Sequence, residues 1–202
     1  MKNMLKDTAI LLIITLISGA ILGFVYELTK DPIAAQEEKA KQEAFREVFT
    51  DASSFEAVAD QDEAAMTAVV AQGGFAQTSV NEVAKAVDGS GSVLGYVITV
   101  TSHEGYGGDI KFSMGIRADG TLNGISILSI SETAGLGMRA EEVLKPQFAG
   151  KQVDQFSVTK NGAVSEDQID AISGATITSK AVTNAVNAGM YYYQNELEGG
   201  VQ

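Results

Sequence analysis

The chain has no cysteine, so disulfides, thiolate nucleophiles, iron–sulfur clusters and Cys-ligated zinc are excluded together. That absence names no compartment by itself. There is a single histidine, His103, and a multi-histidine metal site, a two-His haem or a Ser-His-Asp arrangement would have to use it alone. By residue type it reads as an ordinary polar loop residue. Basic residues are also scarce: 14 Lys and Arg stand against 26 Asp and Glu, a formal charge of -12. Such a surface repels a phosphate backbone, which argues against nucleic-acid binding.

What the chain does have is one long uncharged run, residues 9–26. As a helix at ~1.5 Å per residue it would span about 27 Å, close to the ~30 Å of a hydrocarbon core. A core helix would show a polar face, whereas the polar interruptions here are Thr15 and Ser18, whose hydroxyls can bond back to the preceding turn. A cleaved signal peptide usually has an apolar region of only ~7–15 residues, and no A-x-A-like site follows Tyr26. The segment therefore reads as a retained anchor. Lys2, Lys6 and the terminal amine precede it while Glu27 and Asp31 follow, so the positive-inside bias predicts a cytoplasmic N-terminus and an extracytoplasmic remainder.

Subtracting the anchor leaves material for one ordinary domain. The expected organisation is an anchor at 1–30, a helical stalk and Ala-rich helical region at 31–91, and a folded domain at 92–202. Asp31-Pro32 reads as a capped helix start, with Ile33, Ala40, Ala44, Phe45, Val48 and Phe49 grouped toward one face of a stalk ending near residue 49. Residues 54–87, Ala-rich and acidic, are expected to form short helical pieces broken at Gly73-Gly74. Strands are predicted over 93–101, 110–117 and 121–130, with Asp119-Gly120 as a hairpin turn. A helix at 139–144, a short strand at 156–159 and a final helix at 179–196 complete an α+β domain around an antiparallel sheet.

Three glycine-bearing stretches sit at the ends of these elements, where loops on a rigid scaffold commonly hold ligands. They are Gly105-Tyr106-Gly107-Gly108, then Glu132-Thr133-Ala134-Gly135-Leu136-Gly137, and then Asp170 through Thr178. The first two can be plain turns, and Ser173 or Thr178 can be a helix N-cap. The third places several hydroxyls and a glycine just before a helix, where backbone N–H groups favour a phosphate. It matches neither G-x-G-x-x-G nor G-x-x-x-x-G-K-[ST]. On these grounds the phosphate and N-cap readings both stand.

Ser173-Gly174-Ala175-Thr176-Ile177-Thr178 resembles the [ST]-G-A-[ST]-x-[ST] signature of the FMN-binding domain family, whose last hydroxyl residue carries FMN through a phosphoester bond. With the other two stretches in family order and one N-terminal span, the chain is similar to the G subunits of Rnf electron-transport complexes. It departs from the family at Ala134 and Asp109, where proline is usual. The resemblance implies covalent FMN on Thr178, attached by a separate flavin transferase that reads Ser173, Gly174, Ala175 and Thr176. Thr176 and Ser179 would bond the phosphate, while Tyr106, Leu136 and Met138 give apolar surface and Glu132, Thr133 and Gly137 polar groups for the ring. It further implies an electron relay in a cell-membrane complex that moves electrons from reduced ferredoxin to NAD coupled to sodium or proton export. The other Rnf subunits would be its partners and hold the ferredoxin and NAD sites. Three alternatives remain open at this point: the C subunit of a sodium-pumping quinone reductase, an extracytoplasmic flavin reductase acting on its own substrate, and a cofactor-free extracytoplasmic binding or assembly module.

Overall fold

A computed structural model describes residues 2–59 and 61–199; Asp60 and the chain ends that bound the 1–30 and 92–202 segments lie outside it. The chain divides after Ala40 into two compact units. Helix α1 (Lys2–Val48) begins in the first and ends in the second; its apolar run is fully exposed, and it is the one helix among the described residues long and apolar enough to cross a membrane. Asp31-Pro32 is not a helix start. The helix continues through Pro32, because strong helix formers flank it on both sides and outweigh the one N–H that proline lacks.

The second unit is built on a five-stranded antiparallel sheet in sequential order: β1 (Ser54–Ala57), β2 (Thr78–Val87), β3 (Val93–Ser102), β4 (Ile110–Arg117) and β5 (Leu122–Ile130). Helix α2 (Glu63–Gln72) lies between β1 and β2 in sequence. After β5 come a single 3-10 turn (Gly137–Arg139), helices α3 (Ala140–Val143) and α4 (Lys145–Phe148), the parallel pair β6 (Ser157–Thr159) and β7 (Gln168–Asp170), and helix α5 (Thr176–Tyr192) with a terminal π turn. The helix expected over 139–144 is thus two short ones, with Pro146 in the opening turn of the second, where its missing N–H costs nothing.

The helical expectation for 54–87 is corrected: only α2 is helical there, and β1 and β2 are sheet strands. The alternating pattern that betrays a strand is lost in β2 because apolar cores cover both its faces. Val80 and Val83 belong to the main core, with Ile98, Phe112, Val182 and Val186, whereas Ala84 and Ala86 pack with Phe45, Val48, Phe49 and Val97. A bulge between Val80 and Glu82 shifts the period again. The three strands legible in the sequence run within one residue of their expected ends.

Register brings the glycine stretches together. Ile110 pairs with Ile130, so the loop entering β4 lies beside the chain leaving β5. Asn184 on α5 donates to Glu104 at 2.7 Å, tying the final helix to the same end of the sheet. The segment before α5 is held from behind, where Gln147 exchanges two hydrogen bonds with the Asp170 backbone at 2.7 and 3.1 Å.

Candidate cofactor site

At that end of the sheet a cavity of about 550 Å³ is lined by Tyr106, Glu132, Thr133, Leu136, Gly137 and the run from Gly174 to Thr178. Small-molecule sites commonly have this size, about 300–1,000 Å³. All the site residues singled out in the sequence line it except Ser173, Ser179 and Met138. Ile177 lines it too, which was missed because the signature leaves its position unspecified. Outside α1, the exposed large apolar side chains among the described residues are Tyr106, Leu136, Met138, Val164 and Ile177. All but Val164 line this cavity or neighbour a lining residue, so the apolar surface is concentrated at one mouth.

The wall nearest α5 is unusual for a helix start. The N-cap is Ala175, which makes no side-chain cap bond, and among the described residues the N–H groups of Thr176, Ile177 and Thr178 have no acceptor. Gly174 precedes it at φ +77°, a conformation that glycine adopts without strain. Thr178 is the third helical residue and not the cap, so the N-cap reading of Ser173 or Thr178 does not hold. The residue is 1% exposed, yet its hydroxyl makes no hydrogen bond among the described residues.

Ser179, the next residue, is placed differently. Its hydroxyl accepts the Ile172 N–H at 2.9 Å and donates to the Ala175 carbonyl at 2.9 Å, locking the turn that leads into the helix. It faces the interior. Ser173 is exposed outside the cavity lining. Thr183 also bonds back to the helix, donating to the Ser179 carbonyl at 2.9 Å, whereas Thr178, like Thr133 and Thr176 in the same lining, has a hydroxyl with no hydrogen bond among the described residues.

Opposite α5, the buried Glu132 side chain accepts the Tyr106 N–H at 2.7 Å and the Gly107 N–H at 3.3 Å through Oε1. It therefore clasps the glycine loop to the 131–137 segment. Gly137 allows the close approach of both walls: a Cβ there would sit 2.7 Å from Thr178 Oγ1 and 2.8 Å from Glu132 Oε2. Open N–H groups at a helix start suit an anion, an apolar rim suits a planar ring, and an unbonded hydroxyl suits attachment. The residues present thus fit FMN. A second cavity, about 430 Å³, is lined by Asp119, Asp154 and Glu198 and has the wrong charge for a phosphate.

His103 also has defined partners. Ser79 Oγ lies 2.9 Å from its Nε2 and Asp109 Oδ1 lies 3.0 Å from its Nδ1, so the three residues line up. His103 and Asp109 are exposed, and the trio serves to tie the loop after β3 to β2 at the surface.

The FMN-binding domain model matches residues 105–190, and a model of the RnfG N-terminal region matches residues 1–48. The G subunit of the Na(+)-translocating ferredoxin:NAD(+) oxidoreductase complex of Acetobacterium woodii is 33% identical over 196 residues, covering 96% of this chain and 93% of that protein. The G subunit of the ion-translocating oxidoreductase complex of Methanosarcina acetivorans is 32% identical, covering 95% of each. Its counterpart in the proton-translocating ferredoxin:NAD(+) oxidoreductase complex of Clostridium ljungdahlii is 33% identical over 84% of this chain and 80% of its own. Among solved structures, Shewanella oneidensis NqrC aligns with a TM-score of 0.48 at 23% identity, over 57% of this chain and 58% of that one. With full-length relatives above 30% identity, an FMN-binding domain over the cavity and one apolar helix ahead of it, the chain belongs to the family of G subunits of ion-translocating oxidoreductase complexes.

Proposed function

We propose that this chain is the membrane-anchored electron relay of an Rnf-type complex, carrying FMN bonded through its phosphate to Thr178. The observation that carries the reading is the unspent Thr178 hydroxyl in a cavity wall where three helical N–H groups are also open. A phosphodiester at Thr178 keeps one negative charge at the positive end of α5, where the helix dipole favours it. Bound FMN supplies a carrier able to accept and pass electrons. The chain's own residues hold and shield it: Gly174 lets the backbone turn under the phosphate, Leu136 and Ile177 offer apolar surface to the ring, and Glu132 keeps the Tyr106 loop closed against the opposite side.

Relatives named as G subunits of ferredoxin:NAD(+) oxidoreductase complexes support a place among other membrane and redox subunits. The path would run from ferredoxin to NAD with sodium or proton export, and ferredoxin and NAD would bind those other subunits. A separate flavin transferase would load the cofactor from FAD. Lys6 ahead of the apolar run, with Glu27 and Asp31 behind it, supports a cytoplasmic N-terminus and an extracytoplasmic flavin domain. Because the chain lacks cysteine, single engineered cysteines probed with a membrane-impermeant thiol reagent test this orientation directly.

The covalent reading is tested on a denaturing gel. Wild-type protein from cells with an active flavin transferase should fluoresce as a flavoprotein after denaturation, and Thr178→Ser should retain the signal because the hydroxyl remains. A dark wild-type band would remove the reading.

A further inference from the structure

We infer that the His103–Asp109 pair is a clasp that positions Tyr106 against one face of the flavin ring. The inference rests on FMN occupying the cavity and adds the side chains that set the wall beside its ring. In the sheet register Ser102 pairs with Ile110, so His103 and Asp109 stand at the next opposed position and bound the loop 104–108. Asp109 Oδ1 lies 3.0 Å from His103 Nδ1 and closes that loop at its base. A carboxylate only accepts, so Nδ1 carries the proton, and in the neutral ring Nε2 accepts from Ser79 Oγ at 2.9 Å. The His103 N–H also donates to the Gln77 carbonyl at 2.8 Å, which fixes the clasp to the chain entering β2.

The loop is held more tightly than a hairpin requires. A two-residue turn can join antiparallel strands, whereas this loop contains Gly105, Gly107 and Gly108, whose ordering costs more than that of other residues. A Cβ on Gly105 would strike the Gly108 carbonyl and one on Gly107 the Ser131 carbonyl, so glycine lets the loop pinch and lie against the chain leaving β5. Glu104 is tied to Asn184, and Glu132 holds the Tyr106 and Gly107 N–H groups. On this restrained backbone Tyr106 is 72% exposed, and among the described residues its ring makes no aromatic pair and its hydroxyl no hydrogen bond. It is the one aromatic side chain lining the cavity. A pinned backbone beneath an unpartnered ring at a cavity mouth is a preorganised ligand wall. Closing that wall keeps water from one ring face and so disfavours the charged reduced flavin.

The test uses the full flavin-loaded chain in detergent and reads the excited-state lifetime of the flavin and its midpoint potential. Excited flavin is quenched by electron transfer from a tyrosine in contact with it, and Tyr106 is the cavity's sole aromatic residue in a chain without tryptophan. Tyr106→Phe keeps the bulk without the quenching and should lengthen the lifetime most. His103→Ala and Asp109→Ala should lengthen it less, with the midpoint potential of His103→Ala shifted upward and the flavin content of the denatured band unchanged. Asp109→Asn retains the Oδ1 acceptor and should keep the parental lifetime. His103→Ala added to Tyr106→Phe should lengthen it no further, because the clasp acts through Tyr106. A folded His103→Ala with parental lifetime and potential, an equal lengthening in the Tyr106→Phe background, or an Asp109→Asn no better than Asp109→Ala would each overturn the inference. If the wild-type chain carries no flavin, the cofactor reading fails and this inference with it; if flavin is present and only the variants behave otherwise, the cofactor reading stands.

Discussion

Two helices of the folded unit, α2 and α5, begin in opposite ways. At α2, Asp62 caps the start by accepting the Ala64 N–H at 3.0 Å, and Glu63 accepts from Asn81 at 2.6 Å. At α5, the cap is an alanine and the first three N–H groups are open toward a cavity. A side-chain cap takes up an N–H that a ligand could otherwise use. A helix that leaves its first turn open is less stable alone and gains when an anion arrives. The same division recurs between neighbouring hydroxyls, Ser179 serving the fold and Thr178 free for chemistry.

Substitutions at the two helix starts should separate these roles. The largest effect is expected from Thr178→Ala: all covalent flavin is lost, as read by gel fluorescence, while unfolding free energy changes by no more than about 1 kcal/mol because only a methyl group and an unbonded hydroxyl are removed. Ser179→Ala should do the reverse. It strips the acceptor from the buried Ile172 N–H and should cost about 1–3 kcal/mol in chemical denaturation, with flavin retained. If Ser179→Ala lost flavin at unchanged stability, the division of labour would be wrong. Asp62→Ala removes a real cap and should cost about 1 kcal/mol with no effect on flavin.

The smallest effect concerns acid. Burial alone would raise the Glu47 pKa, but the Lys145 ammonium at 2.6 Å and the Ser126 hydroxyl outweigh it and hold the carboxyl below its usual range. A carboxylate depressed in the folded state adds stability above its unfolded pKa, and that stability is lost as pH falls through the folded value. Lys145→Met should therefore make thermal stability slightly less sensitive to acidification, a modest change because the pair is partly solvated. An unaltered acid profile would dissociate the pair from stability.

The sequence made different parts of the molecule visible for different physical reasons. Strands β3, β4 and β5 are rich in Val, Ile and Thr, and an Asp-Gly turn joins the last two, so local propensity and tertiary context agree. In β2, Ala84, Lys85 and Ala86 favour a helix locally, and the strand exists because cores form on both of its faces. The parallel pair of β6 and β7 is three residues long on each side and leaves no period to read. Within the site, the signature identified the run around Thr178, but it could not show that Ser179, also expected at the phosphate, turns away from it. That distinction is one of direction, set by which side of α5 each hydroxyl occupies. The hold of Glu132 on the Tyr106 loop was equally invisible, since it depends on the register that lays that loop against the chain leaving β5.

The central claim is tested most directly by the intact mass of the full chain purified from its own membrane, followed by peptide mapping. The account predicts the unmodified mass plus one FMN attached with loss of water, confined to the peptide that contains Thr178. An unmodified mass from cells shown to flavinylate another protein would contradict it.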